Sequence, residues 1–203
     1  EAALGMSYAG KRALVGMKHV GMNVCADAFV NSAITGVGGG LVVLAADDPS
    51  MHSSQNEQDS RFYGKFALIP IFEPSTQQEA YDMMKVAFEM SEAIKEPVLL
   101  RVVTRLAHSR ANVVVQEPQK ENALSPSTDQ WVLLPGIAKK KYAALLEKQP
   151  LMLEASEKSS FNKVEKADKK LGIVACGIGY NYVKEAVGDD GYILKVSQYP
   201  LPA

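Results

Sequence analysis

The run Leu41-Val-Val-Leu-Ala-Ala46 decides the fold of this chain. An apolar run without alternation is typical of a strand that is buried on both faces of a parallel sheet. Two other runs share this character, Ala13-Leu-Val-Gly-Met17 before it and Val98-Leu-Leu-Arg-Val-Val103 after it. Helical patterns lie between these runs, and such alternation predicts parallel strands joined by right-handed crossovers. We therefore predict an α/β fold built on a parallel sheet.

The helices between these strands are predicted from the residues at their boundaries. The first runs from an N-cap at Asn23 to Thr35, where a glycine-rich turn follows. The second runs to about residue 95 and buries apolar residues at helical spacing. Ser75 would cap this second helix, and Gln78 would reach back to it in a capping box.

Residues 66–72 are expected to form a further strand of the same sheet. Pro70 interrupts this run, which favours an edge position or a strand that starts late. With a short helix expected before Gly10, residues 1–108 are predicted to be one layered α/β domain.

The character of the chain changes after this first domain. Residues 109–170 are predicted to be a linker with one helix at residues 139–153. Residues 154–170 are so highly charged that we expect a solvated face or a mobile linker. At residues 171–203 a strand–turn–helix–strand pattern indicates the start of a second α/β domain. Both ends read as interrupted elements, so we expect a piece of a longer polypeptide.

Composition excludes several classes of protein. The 203 residues contain 22 Lys and Arg against 23 Asp and Glu, so no basic surface for nucleic acid is expected. No apolar run approaches the length of a membrane span and no signal peptide is recognisable, which predicts a cytoplasmic protein without a membrane partner. Cys25 and Cys176 are interpreted as buried, inert thiols. With only 3 histidines besides, no metal site is expected in this chain.

Polar loops follow two of the predicted strands and form the candidate site. Ligands of open parallel sheets bind beyond the carboxyl ends of the strands. The donors and acceptors there suit a polar organic ligand with an anionic group: Lys18, His19, Asn23, Asp47, Asp48, His52, Ser53, Ser54, Gln55, Asn56, Glu57 and Arg61. Arg61 could hold a carboxylate in bidentate fashion, and either histidine could relay a proton. Elsewhere, the lysines at residues 139–141 could contact phosphate or an acidic partner, with a solvated helix edge as the alternative.

Several of these stretches resemble the alpha subunits of indolepyruvate:ferredoxin oxidoreductases, within the 2-oxoacid:ferredoxin oxidoreductase family. The resemblance is carried by Ala2-Ala-Leu-Gly-Met-Ser-Tyr-Ala-Gly10, by Met17-Lys-His-Val-Gly-Met-Asn-Val24 and by His52-Ser-Ser-Gln-Asn-Glu-Gln-Asp59. The last of these favours this branch over its pyruvate and 2-oxoglutarate relatives. The resemblance extends over essentially the whole chain.

The resemblance implies an enzyme that oxidatively decarboxylates aryl 2-oxo acids such as indolepyruvate with coenzyme A. The products would be an aryl-acetyl-CoA, carbon dioxide and reduced ferredoxin. Residues 1–108 would be the pyrimidine-type domain of a thiamine-diphosphate-binding fold, and residues 171–203 would begin a domain like the transketolase C-terminal domain. Thiamine diphosphate and Mg²⁺ would be shared with a beta-type partner subunit, and [4Fe-4S] clusters would lie in a C-terminal part beyond this chain.

The resemblance also assigns roles to individual residues. The catalytic glutamate that activates the cofactor would lie upstream of residue 1, so this chain alone should be inactive. Cofactor-binding residues would be Lys18, His19, Gly21, Met22 and Asn23. Substrate-binding residues would be Arg61, Ser53, Ser54, Gln55 and Asn56. Two alternatives stay open: a paralogue acting on pyruvate or 2-oxoglutarate, and a catalytically inactive assembly module of the same fold.

Overall fold

The computed structural model describes residues 1–119, 129–167 and 171–201. Its strands are β1 (Ala13–Lys18), β2 (Leu41–Asp47), β3 (Ile71–Phe72), β4 (Val98–Val103), β5 (Lys163–Glu165), β6 (Gly172–Cys176), β7 (Tyr192–Val196) and β8 (Gln198–Tyr199). Its α-helices are α1 (Ala2–Tyr8), α2 (His19–Val24), α3 (Ala26–Thr35), α4 (Arg61–Ala67), α5 (Gln77–Ile94), α6 (Thr104–His108), α7 (Pro135–Glu147), α8 (Gln149–Glu157) and α9 (Gly179–Val187). Single 3-10 turns lie at Asp129–Trp131 and Gly188–Asp190. Parts of the predicted linker (120–128, 168–170) and of the predicted last domain (202–203) lie outside the described residues.

The main sheet has five strands in the order β1-β2-β4-β3-β8. The first four are parallel neighbours, and β8 lies antiparallel beside β3. Strand β2 pairs on both sides, with Val43 opposite Val15 and Leu99. One face of the sheet packs against α3 and α4 and the other against α5, which explains why β2 is apolar throughout. The predicted α/β fold with a parallel sheet is confirmed.

The helix predicted from Asn23 to Thr35 begins elsewhere. Helix α2 starts directly after β1, and the chain breaks at Cys25 before α3 begins. Asn23 lies inside α2, so its prediction as an N-cap is wrong, and the predicted loop at residues 17–23 is the end of a strand plus a helical turn. The break lets Met22 enter the core, where it is fully buried.

The strand predicted at residues 66–72 is mostly absent. Residues 61–67 form α4, Leu68 adopts a left-handed conformation (φ 61°), and β3 begins only after Pro70. The late start is confirmed, whereas an edge position is wrong because β3 lies between β4 and β8. Proline has no N–H to donate to the ladder, although the Pro70 carbonyl accepts from the amide of Leu99 at 3.0 Å.

The capping box of α5 lies one residue later than predicted. Thr76 is the N-cap, and its hydroxyl accepts from the amide of Glu79 at 3.1 Å. Glu79 reaches back and accepts from the amide of Ser75 at 2.8 Å. The predicted pairing of Ser75 with Gln78 is therefore wrong, because Ser75 is buried and donates its own hydroxyl to Glu79.

The later part of the chain is more ordered than predicted. The helix expected at residues 139–153 is two helices, α7 and α8, separated at Lys148. Much of residues 154–167 is solvated as expected, but it includes the end of α8 and strand β5. Strands β5, β7 and β6 form a second sheet, and the chain then returns to the main sheet through β8. Among the described residues, no helix is long and apolar enough to cross a membrane.

Candidate functional site

Asp48 organises the loop that follows β2 at the carboxyl edge of the sheet. Its carboxylate accepts from the amides of His52 and Ser53, at 3.2 and 2.8 Å, and from the hydroxyl of Ser54 at 2.7 Å. Thr104, at the end of β4, donates to it at 2.8 Å. These hydrogen bonds, led by that of Ser54, hold the pKa of Asp48 far below its usual range. Asp48 therefore stays ionised and fixes the loop to the neighbouring strand.

The loop makes a tight turn to reach Asp48. Ser50 and Met51 both have positive φ angles, 67° and 53°, which side chains rarely adopt. The amide of Met51 donates to the Asp48 carbonyl at 3.0 Å, and Glu57 accepts from the amide of Ser50 at 3.0 Å. Such strain persists only where surrounding contacts determine the conformation, and it is frequent at functional sites.

Lys18 lies at the end of β1 and faces this loop. Its ammonium donates to the Ser53 carbonyl at 3.0 Å and to the Ser54 hydroxyl at 2.7 Å, and lies 4.0 Å from Asp48. A cavity of about 390 Å³ opens beside them and is lined by Lys18, Val20, Met51, His52, Ser53, Ser54 and Gln55. The structure thus brings together one predicted cofactor residue and three predicted substrate residues.

The other residues predicted to bind the cofactor lie on α2. His19 is fully buried; its Nε2 lies 3.1 Å from the Asn56 carbonyl, and its Nδ1 has no hydrogen-bond partner among the described residues. Met22 is fully buried in the core. A Cβ at Gly21 would lie 3.0 Å from that of Met17, so this glycine lets α2 pack on β1. These positions give the three residues packing roles, and their contact with a cofactor stays a prediction.

Asn23 is exposed and links α2 to α4, because its side-chain Oδ1 accepts a hydrogen bond from the Tyr63 hydroxyl at 2.6 Å.

A buried ion-pair network lies beside the loop. The guanidinium of Arg101, in β4, donates to Asp47 at 2.5 Å and also to Glu73. Asp47 further accepts from the amide and the hydroxyl of Ser60, at 2.9 and 2.5 Å. Neighbouring carboxylates keep the pKa of Arg101 raised despite the opposing effect of burial. The network therefore fixes the end of the loop to three strands of the sheet.

Arg61, the predicted substrate arginine, lies at the edge of this network and not in the Lys18 cavity. Its guanidinium donates to Asp59 at 2.6 Å, to Glu73 at 3.4 Å and to the thiol sulfur of Cys176 at 3.2 Å. It lines a second cavity of about 620 Å³ together with Asp59, Phe62, Gly64, Lys65, Leu68, Ile69, Ile71, Gln149, Tyr199, Pro200 and Leu201. Of the predicted site residues, Lys18, Ser53, Ser54 and Gln55 thus line one cavity and Arg61 another, whereas His19, Gly21, Met22, Asn23 and Asn56 line neither.

The sequence-based search missed Glu73, Arg101 and Thr104. Arg101 carries a recognisable signal, since an arginine within an otherwise apolar buried strand requires a buried carboxylate partner. Nothing local identifies that partner. Among the described residues, no group of three or more His, Cys, Asp or Glu side chains is arranged to hold a metal ion.

Comparison with known proteins finds relatives that match the whole of this chain. The chain is 46% identical, over 212 residues, to indolepyruvate oxidoreductase subunit IorA of Archaeoglobus fulgidus. It is 44% identical, over 216 residues, to the subunit of that name from Thermococcus kodakarensis. Both alignments cover 100% of this chain. Over its whole length, the chain is therefore similar to subunits named IorA. It spans only about a third of these relatives, 34% and 33% of their lengths.

The fold of this chain is also found in a solved structure. A 2-oxoglutarate:ferredoxin oxidoreductase from Magnetococcus marinus superposes with a TM-score of 0.71, over 99% of this chain and 44% of that chain. Sequence identity is 14%, so this likeness concerns the fold alone. No family model matches the chain. The resemblance read from the sequence is confirmed, and so is the predicted fold class.

Proposed function

We propose that this chain is the part of a 2-oxoacid oxidoreductase alpha subunit that holds the aminopyrimidine ring of thiamine diphosphate and the carboxylate of an aryl 2-oxo acid. The proposal rests on one observation above all: over the whole length of this chain, the sequence is 41–46% identical to subunits named IorA. Residues 1–108 would hold the ring, and residues 171–203 would begin the next domain. The complete enzyme would release an aryl-acetyl-CoA and carbon dioxide and pass electrons to ferredoxin through [4Fe-4S] clusters outside this chain.

The Lys18 cavity fits an aminopyrimidine ring in its chemistry. Val20 and Met51 offer apolar surface for the ring, while Ser53, Ser54 and Gln55, the residues predicted for the substrate side, offer donors and acceptors beside it. Among the described residues, no group of three or more His, Cys, Asp or Glu side chains is arranged to hold a metal ion. In this proposal the cofactor is shared, and a beta-type partner subunit would hold the diphosphate and Mg²⁺.

The residues of the chain would position the ring and not react themselves. Thiamine diphosphate, when bound, supplies the carbon nucleophile that attacks the 2-oxo group and allows carbon dioxide to leave. Asp48 holds the loop rigid through its hydrogen bonds, so Ser53 and Ser54 need no reorganisation on binding. His19, bonded to the Asn56 carbonyl, supports the loop from beneath.

Arg61 would bind the carboxylate of the substrate. Its side chain is about one-third exposed at the rim of the second cavity, whose other walls are largely apolar. An anionic head at Arg61 with an aryl group against Phe62, Ile71 and Tyr199 would satisfy both parts of an aryl 2-oxo acid. Asp59 is also partly exposed, so it can turn to solvent when a substrate carboxylate replaces it.

The test uses the full-length parent with its partner subunit under strict anaerobiosis. Dye reduction is followed with indolepyruvate, phenylpyruvate, pyruvate and 2-oxoglutarate, each with and without coenzyme A and thiamine diphosphate. We expect turnover with the aryl acids that requires both additions. Turnover with pyruvate or 2-oxoglutarate instead would make the protein a paralogue with another substrate, and no turnover with any acid would favour an assembly module.

Arg61→Ala tests the substrate contact in the same assay. Loss of a charge-assisted hydrogen bond should reduce the stabilisation of the transition state by about 1.5–3 kcal/mol, which lowers kcat/KM for the aryl acid roughly 10- to 150-fold. Arg110→Ala is the matched control, because Arg110 is exposed beyond α6. Equal kinetics for the two variants would remove Arg61 from the substrate site.

A further inference from the structure

A third cavity lies at the opposite end of the main sheet from the proposed site. It has a volume of about 410 Å³, within the usual range for small-molecule sites. Its walls are the end of α3 with the turn at residues 36–38, the junction between α5 and β4, helix α7 and the 3-10 turn at Asp129–Trp131. Strands β2 and β4 begin here, so the cavity is separate from the loops at the carboxyl edge.

Three lysines make the walls of this cavity strongly cationic. Lys95, Lys141 and Lys148 line it, against one carboxylate, that of Glu96. The ammonium of Lys141 donates to the Thr35 carbonyl at 2.9 Å, and that of Lys148 donates to Glu96 at 2.5 Å. Each ammonium carries three N–H donors, so both retain capacity for a ligand after these bonds.

Glu96 is a buried carboxylate with one oxygen left over. The residue is 2% exposed, and its Oε2 has no hydrogen-bond partner in the described part of the chain. Burial raises the pKa of Glu96 to about 7, against the opposing effect of Lys148 and Lys141. In its protonated form this side chain adds a hydrogen-bond donor to the cavity instead of a negative charge.

One wall of the cavity is flat and aromatic. The indole of Trp131 stacks on the ring of Tyr8, with centroids 4.0 Å apart and planes 16° apart. The Tyr8 hydroxyl donates to Thr35 at 2.7 Å, which fixes the stacked pair against α3. Both rings line the cavity, so a planar group entering it meets a rigid π surface.

We propose that this cavity binds a small anion that carries a flat ring, with Lys95, Lys141 and Lys148 holding the anionic group and Trp131 contacting the ring. Within the lysine triplet at residues 139–141, Lys141 lines the cavity, whereas Lys139 and Lys140 are exposed and do not line it. A ligand here would join α7 to α3 and to the start of β4, which makes the site suited to an effector.

Trp131 is the single tryptophan of the chain, so its fluorescence reports on this cavity directly. Benzenesulfonate is the probe, because it combines a flat ring with a charge that does not titrate near neutrality. Sulfate provides the anion without the ring, and benzyl alcohol the ring without the anion. We expect a saturable change in Trp131 emission with benzenesulfonate. Its dissociation constant should be at least about tenfold lower than that of either partial probe, a difference of about 1.4 kcal/mol in binding free energy.

Two lysine variants and one matched control test the assignment. Lys95→Gln and Lys141→Gln should each weaken benzenesulfonate binding by about tenfold, whereas Lys139→Gln on the same helix should leave it within about twofold. Thermal unfolding identifies any variant that has lost its fold. Among the described residues, the Lys95 ammonium has a single long hydrogen bond, of 3.5 Å to the Gly38 carbonyl. Lys95→Gln therefore still tests the proposal if Lys141→Gln is unstable.

The pH dependence provides an independent check. Lys148 and Lys141 from α7, the adjacent Lys95 and Tyr8 from α1 are the titratable groups that line the cavity with Glu96. Burial raises the pKa of Glu96 to about 7, so the charge of Glu96 changes near neutrality and binding should tighten as the pH falls from about 8 to about 6. Absence of a saturable emission change, equal weakening by Lys139→Gln, or binding that weakens on acidification would each overturn the proposal.

Discussion

Arg101→Met is the substitution that most directly tests the network beneath the candidate site. The side chains of Arg101, Asp47 and Glu73 are 7%, 0% and 5% exposed. Removing the guanidinium leaves Asp47 with Ser60 but without a cation, whereas Glu73 keeps Arg61 at 3.4 Å and the Tyr199 hydroxyl at 3.0 Å. Breaking one side of a buried ion pair typically costs about 3–5 kcal/mol, and here Asp47 should account for most of it.

Urea unfolding followed by circular dichroism measures this loss. We expect the midpoint to fall without a change of slope, because the surface exposed on unfolding is nearly unchanged. Adding Asp47→Asn to Arg101→Met removes the orphaned charge and should recover part of the stability, a non-additive result typical of contacting residues. Lys158→Met is the control, since the Lys158–Glu154 pair is exposed and should contribute nothing measurable. A loss below about 1 kcal/mol for Arg101→Met, or further loss in the double variant, would refute the reasoning.

Three further predictions concern stability alone. The pKa of Glu96 is raised from 4.5 to about 7 in the folded state, so its contribution to stability is present below about pH 4.5 and is lost as the pH rises through about 7. This contribution is at most about 3 kcal/mol of unfolding free energy. Glu96→Gln should remove the pH dependence in unfolding measurements across that range. Gly64→Ala should destabilise the chain by about 1–3 kcal/mol in urea unfolding, because its Cβ would lie 2.5 Å from a side-chain carbon of Ile71, whereas Gly136→Ala meets nothing within 4 Å and should be tolerated. Thr76→Ala should lose about 1 kcal/mol by removing the N-cap of α5, with Thr76→Ser retaining it, and equal melting temperatures for the two variants would contradict the capping role.

Strands β2 and β4 follow from the sequence because each is a short apolar run that is largely buried. Strand β1 was also predicted from an apolar run, but it lies at the edge of the sheet and leaves Leu14 exposed. Helix α4 was missed because an apolar run by itself does not show whether it forms a strand or part of a helix. Its apolar residues run into those before β3, and local hydrophobicity does not distinguish a helix end from a strand start without the position of Pro70 in the sheet. The break between helices α2 and α3 at Cys25 likewise accompanies the burial of Met22 in the core, which is a tertiary contact.

The candidate site divides along the same line. Polar loops after β1 and β2 were predictable, since parallel strands place their carboxyl ends at one edge, and Lys18 does meet Ser53 and Ser54 there. The separation of Arg61 from this cavity was not predictable. It follows from Asp59, Glu73 and Cys176, the last of which lies 115 residues away along the chain.

The sequence by itself determined the α/β class, the strands at the centre of the sheet and the resemblance to subunits named IorA, because apolar runs and consecutive motifs are local properties of the chain. Only the tertiary structure decided which charges meet. Arg101 donates hydrogen bonds to Asp47 and Glu73. Lys141 donates to the Thr35 carbonyl at the end of α3, and Lys148 donates to Glu96. These partners are separated by 28 to 106 residues along the sequence. A buried charge needs a partner that the fold brings within hydrogen-bond distance, and the neighbouring sequence does not show which residue that is.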